Sequence, residues 1–347
     1  MDILKKAYGE RFNMEVALIS TEALITPPQK YGGIESVTFD LCRGLTEKGV
    51  DVCLFGCNGS QSPSGRVVEV IEQGWGKPGQ CEDFEKRMVD MTKYLRGFDV
   101  VHDNSHQKPS WKIHPKVINT MHWMQNPAQC NHTNVVAISE MLKGQIKPWN
   151  KGKDIKVVHN GCDLSKYEFK ENKSERYLFL SAMSPGKGAD VALELAVNMS
   201  LPMDFAGLGG SAAGAIEEES KTNPNIRYYG EVTEEEKISL YQNARALIFP
   251  TGVHGDWQEP FGLVAIEAMA CGTPVIAWNS GAMPEVVLDG RTGYLCKSIP
   301  ELEQAINNVD VINHRECRRH VEDNFSYLAM AEKYITLYNK LLNGEFW

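Results

Sequence analysis

Nowhere in the 347 residues do about 18 apolar residues run together, so no membrane-spanning helix is expected. The N-terminal MDILKKAYGERFN lacks the apolar core and small-residue cleavage site of a signal peptide, and a cytoplasmic protein is expected. Positive charge is short: 36 Lys and Arg stand against 45 Asp and Glu, a net charge of −9, which argues against a general nucleic-acid binder. No C-x-x-C pair occurs among the nine cysteines, an odd number scattered along the chain. That pattern suits reduced thiols better than a disulfide framework. Cys53 and Cys57 lie close in sequence, but two ligands do not make a zinc site, and no metal site is expected.

What the chain does have is alternation. Its length exceeds one ordinary core, so two domains are expected. Residues 14–20 (MEVALIS) read as a buried parallel strand. A loop with Pro27-Pro28 and Gly32-Gly33 follows. Ile34, Val37, Leu41 and Leu45 then recur at helical spacing, and Gly49 ends that helix. Residues 50–56 form the next strand, completing a βαβ unit. Its turn is not G-x-G-x-x-G, so the nicotinamide or flavin fingerprint is absent there. Residues 58–80 read as a turn-rich surface excursion around one short strand, and 84–95 as a helix. Strands are expected at 98–102, 117–121, 135–138 and 155–158. Polar residues stand directly after several of them, including Asp103-Asn104-Ser105-His106 and His122, at the ligand edge of an open parallel sheet. His102 and His106 read more readily as loop-bonding histidines than as catalytic ones, and Asn160-Gly161 as a turn.

The charged stretch 168–176 reads as a linker, after which the alternation restarts. Strands are expected at 177–181, 203–207, 226–230, 246–250 and 274–278. Between the second and third of these the sequence reads as a Gly/Ala-rich loop. The fold class is therefore α/β, with two Rossmann-like domains. One spans 1–170, and 171–325 forms the other. The last helix shows Tyr327, Ala331, Tyr334, Tyr338 and Leu341 on one face, so it must pack on something.

The most informative stretch is 259–272, EPFGLVAIEAMACG. Two carboxylates, Glu259 and Glu267, flank the expected start of a helix near Gly262, which Gly272 ends. First-turn amides near Phe261, Gly262 and Leu263 suit a phosphate. Carboxylates on either side suit the hydroxyls of a nucleotide sugar.

With PPQKYGGIESV, FDVVH, VVAISE, KVVHNGCDL, LSAMSPGKGADVAL and DWQEPFGLVAIEAMACGTPVIAW in register, the chain resembles the family 4 retaining glycosyltransferases of GT-B architecture. The resemblance implies two domains facing across a cleft, with the last helix (326–347) crossing back to the first. It also implies that a nucleoside-diphosphate sugar binds mainly to the second domain. Glu267 would accept from ribose hydroxyls and Glu259 from the transferred sugar. Amides at Phe261, Gly262, Leu263 and Val264 would hold the diphosphate with Lys187. The base would lie near Gly230 and Val232. Gly32 and Gly33 would close over the phosphates, and His122 would face the reacting sugar. No metal and no cofactor beyond the donor sugar would be needed. Ala182 departs from the family word, which carries Arg there as a second diphosphate clamp. Trp257 would stack on a sugar or simply pack. The implied activity is hexosyl transfer to an acceptor hydroxyl of unassigned chemistry. A GT-B-type sugar-nucleotide epimerase or phosphorylase, or a non-catalytic sugar-nucleotide binder, is the alternative.

Overall fold

The computed structural model describes residues 14–72, 74, 82–84, 86–87, 92–106, 108, 110, 114–123 and 133–347. The N-terminal leader and parts of the helix expected at 84–95 and of the loops at 58–80 and 103–132 lie outside the described residues. The chain divides into two compact units. The first takes in the described residues up to Gly161 together with Tyr327–Trp347, and the second is Cys162–Ser326.

In the first unit seven strands form one sheet: β1 (Glu15–Ile19), β2 (Asp51–Cys57), β3 (Val67–Ile71), β4 (Val100–Asp103), β5 (Val117–Met121), β6 (Val135–Ala137) and β7 (Lys156–Val157). Their order is β3-β2-β1-β4-β5-β6-β7, and every pairing is parallel, with Val16 beside Val52 on one side and Val100 on the other. Val16, Ala17, Leu18 and Ile19 are all fully buried. A strand covered on both faces needs apolar residues at consecutive positions, which is why the sequence shows runs rather than alternation. Helices α1 (Gly33–Glu47), α2 (Thr92–Leu95) and α3 (Glu140–Ile146) belong to this unit. Gly49 adopts φ +85, the left-handed stop expected after α1.

The C-terminal helix Tyr327–Leu342 packs in the first unit. A Cβ at Gly44 on α1 would lie 2.8 Å from the Ala331 Cβ and from the Tyr327 carbonyl oxygen, so glycine permits the close crossing. The Tyr338 hydroxyl pairs with His102 Nδ1 at 2.7 Å, and the Tyr334 hydroxyl with Thr120 Oγ1 at 2.9 Å. His102 therefore bonds to side chains of this helix and sheet, where the sequence pattern suggested loop backbone. Beyond the helix, the Trp347 indole donates to the Val135 carbonyl at 3.1 Å.

The second unit repeats the plan with six parallel strands: β8 (Tyr177–Leu180), β9 (Met203–Ala206), β10 (Ile226–Gly230), β11 (Leu247–Phe249), β12 (Val275–Trp278) and β13 (Gly293–Cys296), in the order β10-β9-β8-β11-β12-β13. Its helices are α4 (Ala189–Asn198), α5 (Ala213–Thr222), α6 (Glu234–Asn243), α7 (Leu263–Ala270), α8 (Met283–Val286), α9 (Ile299–Asn308) and α10 (His314–Asn324). Phe179, Phe205, Ile248 and Ile276 fill the core between these layers. Helix α5 stands where the sequence read as a Gly/Ala-rich loop. Only Ile216 of its ten residues is buried, so no apolar periodicity announces it. The division between units falls at 161/162, ahead of the charged stretch 168–176. Residues 162–170 are tied into the second unit, with the Cys162 amide bonded to Phe325 O and the Lys170 amide to Cys271 O.

In each sheet the chain starts near the middle, runs outward, then crosses to the other side. The carboxyl ends of β1 and β4, and of β8 and β11, thus form the crevices where open α/β sheets take ligands. Among the described residues, no helix is long and apolar enough to cross a membrane.

Candidate functional site

In the second unit, three loops meet at the β8/β11 crevice. After β8 the word Ser184-Pro185-Gly186-Lys187-Gly188 makes a tight turn, and Gly188 takes φ +75. A Cβ there would lie 2.6 Å from the Pro250 carbonyl oxygen, so both the backbone angle and the close approach require glycine. The Gly252 amide donates to Gly186 O at 3.0 Å, fastening this turn to the loop after β11. That loop carries Glu259. The third loop, after β12, holds Glu259 from behind: the Ala282 amide donates to its carbonyl at 2.9 Å.

The result is a direct ion pair, Lys187 Nζ to Glu259 Oε2 at 2.6 Å, with the Lys187 ammonium 4.6 Å from the Trp257 ring centroid. Trp257 thus lies beneath the lysine, a cation–π contact. Gly262, at φ +95, caps α7, and a Cβ on it would be 3.7 Å from Glu259 Cγ, which places the carboxylate stem beside the helix start. Phe261 is buried against Phe325 with ring centroids 5.8 Å apart. Leu263 and Val264 are half-buried. A cation, a carboxylate and a helix N-terminus in one loop cluster can bind an anion next to hydroxyls. Without a ligand, the cation and carboxylate neutralise each other.

Glu267, on α7, is 8% exposed and makes none of these contacts. Its Oε1 accepts from the Tyr167 hydroxyl at 2.8 Å and from Lys237 at 3.3 Å; its Oε2 accepts from the Tyr241 hydroxyl at 2.9 Å. Lys237 also pairs with Glu234 at 2.9 Å. Burial works against the Lys237 charge, but Glu267 and Glu234 outweigh it and hold the ammonium above its ordinary range. Burial, then the charge of Glu267, pushes both tyrosine hydroxyls well up, so they serve Glu267 as donors. No sequence pattern announces this network. Tyr167 and Tyr241 look like ordinary apolar positions, and Lys237 like a surface helix charge.

In the first unit, the β1/β4 crevice contains a second polar cluster. Ile34, next to Gly33 at the start of α1, lines one pocket with Asn104, Lys108 and His122. His122 Nε2 pairs with Asn104 Oδ1 at 2.9 Å. Burial, then Lys108, drives the His122 imidazole well below its usual range, so it is neutral at pH 7. Burial pushes the Lys108 amine down to about 8. His106 pairs with the buried Glu22 at 3.1 Å.

The structure thus brings Lys187, Glu259 and the Phe261–Val264 start of α7 together, and His122 near the Gly32-Gly33 end of α1 in the other unit. It places Glu267 in its own network, and Gly230 at the end of an edge strand two strands from β8, with Val232 just beyond. Gly230 takes φ +65, and its carbonyl accepts from the Gly207 amide at 2.8 Å.

The family model described as "Glycosyl transferases group 1" matches residues 163–337, and the one described as "Glycosyltransferase Family 4" matches residues 31–166. An uncharacterized glycosyltransferase of Methanocaldococcus jannaschii is 28% identical over 200 residues, 57% of this chain and 54% of that one. The chain spans about half to two thirds of the length of the first curated relatives it matches. Among solved structures, a glycosyltransferase involved in avilamycin A biosynthesis is 25% identical, covering 96% of this chain and 99% of that one with a TM-score of 0.73. An Anabaena protein solved in complex with UDP-glucose shares the fold at 15% identity, with 94% and 100% covered and a TM-score of 0.71.

Proposed function

The chain belongs to the group 1 glycosyltransferases, within glycosyltransferase family 4, and from that premise we propose that it moves a hexose from a nucleoside-diphosphate sugar to an acceptor hydroxyl, with retention and without a divalent metal. The observation that carries this reading is the Lys187–Glu259 pair at the β8/β11 crevice, beside the first amides of α7. In this reading the diphosphate draws Lys187 away from Glu259. Lys187 and the amides of Phe261, Gly262, Leu263 and Val264 then take the phosphate oxygens, and the freed Glu259 accepts from a hydroxyl of the sugar. The anion stays in place as charge develops on it, which is electrostatic preorganisation.

Glu267 takes a ribose hydroxyl on Oε2, the oxygen that has a single donor among the described residues. The base lies by Gly230 and Val232. The acceptor oxygen attacks the face that the diphosphate leaves. The sugar–phosphate bond breaks, the new glycosidic bond forms, and the acceptor proton passes to the departing diphosphate. A UDP-glucose complex in a protein of the same fold supports this class of donor.

Incubation with UDP- and GDP-sugars, following free nucleotide, tests the proposal. Glu267→Ala and Lys187→Ala should each abolish release; unchanged turnover in both overturns it. Ala182 favours one second reading, a sugar-nucleotide binder without turnover. Calorimetric binding with no release across a broad acceptor screen would establish that reading instead.

A further inference from the structure

Glu267 has fewer open positions than a free carboxylate. An ionised carboxylate offers about four lone-pair sites, two on each oxygen. Its Oε1 already takes the Tyr167 hydroxyl at 2.8 Å and the Lys237 ammonium at 3.3 Å, so both sites there are filled. Among the described residues Oε2 takes the Tyr241 hydroxyl alone, at 2.9 Å, which leaves one site. The Glu267 side chain is 11% exposed, so it still reaches solvent.

The donors are not free to swing aside and open a second site. Lys237 has three ammonium hydrogens and three acceptors around them: Glu234 at 2.9 Å, Glu267 at 3.3 Å and the Tyr167 hydroxyl at 3.4 Å. Tyr167 and Tyr241 are 4% and 0% exposed, so neither hydroxyl can turn to water instead. Their rings meet edge to face with centroids 6.4 Å apart, which fixes the directions from which the hydroxyls approach. Lys237 and Tyr241 stand about one turn apart on α6, so one face of that helix supplies a donor to each carboxylate oxygen. Withdrawing a donor from a buried carboxylate costs more than the bond itself, because the charge is left unmatched.

We propose that Tyr241, with Tyr167 and Lys237, positions Glu267 to read a single ribose hydroxyl, where the family resemblance implies more than one. Tyr241 fixes the direction of the open lone pair on Oε2, while Tyr167 and Lys237 close Oε1. Tyr241 is a positioning residue: it touches the carboxylate and not the nucleotide. Glu267 therefore distinguishes ribose from deoxyribose at one carbon only. The inference rests on the nucleotide-sugar reading of this site, but its test needs neither acceptor nor turnover.

The full chain is titrated calorimetrically with UDP, GDP and ADP, and then with the 2′-deoxy and 3′-deoxy forms of whichever binds tightest. One deoxy form should bind about 10–100-fold more weakly than its parent, as the loss of a hydrogen bond to a charged group requires, and the other within about twofold of it. Tyr241→Phe removes the donor on Oε2 and frees a second lone pair there. In that variant the two deoxy forms should differ by about threefold or less, since neither hydroxyl is then singled out. If Tyr241 only supports the fold, its loss weakens parent and deoxy forms alike and leaves their ratios unchanged, which overturns the proposal. Equal loss from both deoxy forms of the wild-type chain, or loss from neither, overturns it too. If Tyr241→Phe fails to fold, the wild-type comparison decides. Binding of none of the three diphosphates sinks the nucleotide-sugar reading and the single-hydroxyl reading together. The expected split in a chain that transfers no sugar keeps the single-hydroxyl reading and sinks the transfer reading. Transfer without the split does the reverse.

Discussion

Replacing Glu259 with Gln should tighten the binding of free UDP or GDP while reducing sugar transfer. The two effects have opposite signs because Lys187 has two possible partners. With no ligand it donates to Glu259 at 2.6 Å, the two side chains being 23% and 13% exposed. A pair so placed is worth about 1 kcal/mol, and a diphosphate must displace it before gaining the ammonium. Removing the carboxylate charge removes that competition, so UDP should bind about fivefold tighter. Transfer should fall because the sugar loses its acceptor. Lys187→Met works the other way. It deletes a charge-assisted hydrogen bond worth roughly 1.5–3 kcal/mol, so nucleotide binding should weaken about 10–100-fold. With Ala182 at the position of the family's second clamp, no arginine there softens the loss. The double variant should match Lys187→Met alone, since Glu259 acts on free nucleotide only through Lys187. Isothermal titration calorimetry of the four proteins with each nucleotide reads all of this. Weaker UDP binding in Glu259→Gln, or additive effects in the double variant, would refute the competition.

Gly281 takes φ +58, and a Cβ there would lie 2.5 Å from the Glu259 carbonyl oxygen, so Gly281→Ala should lower stability by about 1–3 kcal/mol and reduce transfer further than the melting temperature alone explains; a variant with wild-type melting and turnover would contradict the role given to that loop. Burial, then Lys108, pushes His102 down to about 3 from an ordinary 6.5, so the unfolded chain takes up a proton that the folded one refuses. The resulting stability is present above pH 6.5 and is lost as pH falls toward 3, amounting to about 2 kcal/mol between pH 7 and pH 5. Denaturant melts at both values should show this slope, and His102→Gln should flatten it. Turnover should be the same after exhaustive chelation as with added magnesium, as the metal-free reading requires; a rate restored only by the metal would end that reading.

Much of this architecture was legible because buried parallel strands require unbroken apolar runs, and the runs at 117–121 and 135–138 hold the strands Val117–Met121 and Val135–Ala137. Gly49, Gly262 and Gly272 ended or opened helices as their left-handed angles demand. Elements without an apolar stripe were silent, as α5 shows, and so was the charged α10, where Cys317 and Val321 alone of the eleven residues are buried. The site divides in the same way. Lys187 and Glu259 could be read from words whose glycines have mechanical reasons to be there. The partners of Glu267 could not, because Tyr167 precedes β8 while Lys237 and Tyr241 lie four residues apart on α6, and they meet Glu267 of α7 only in three dimensions. Asn104 and Lys108 left one trace, a polar stretch placed directly after a buried strand at the sheet's carboxyl edge.

The return of the C-terminal helix to the first unit has a consequence for how the chain is made. The second unit is one continuous stretch, 162–326, and can fold as soon as it has left the ribosome. The first unit must wait. His102 lacks its Tyr338 partner, Thr120 its Tyr334 partner and Gly44 its neighbouring helix until residues 327–347 emerge. During synthesis the older half of the protein is therefore the one left incomplete. For that interval a face of its sheet and of α1 stands uncovered.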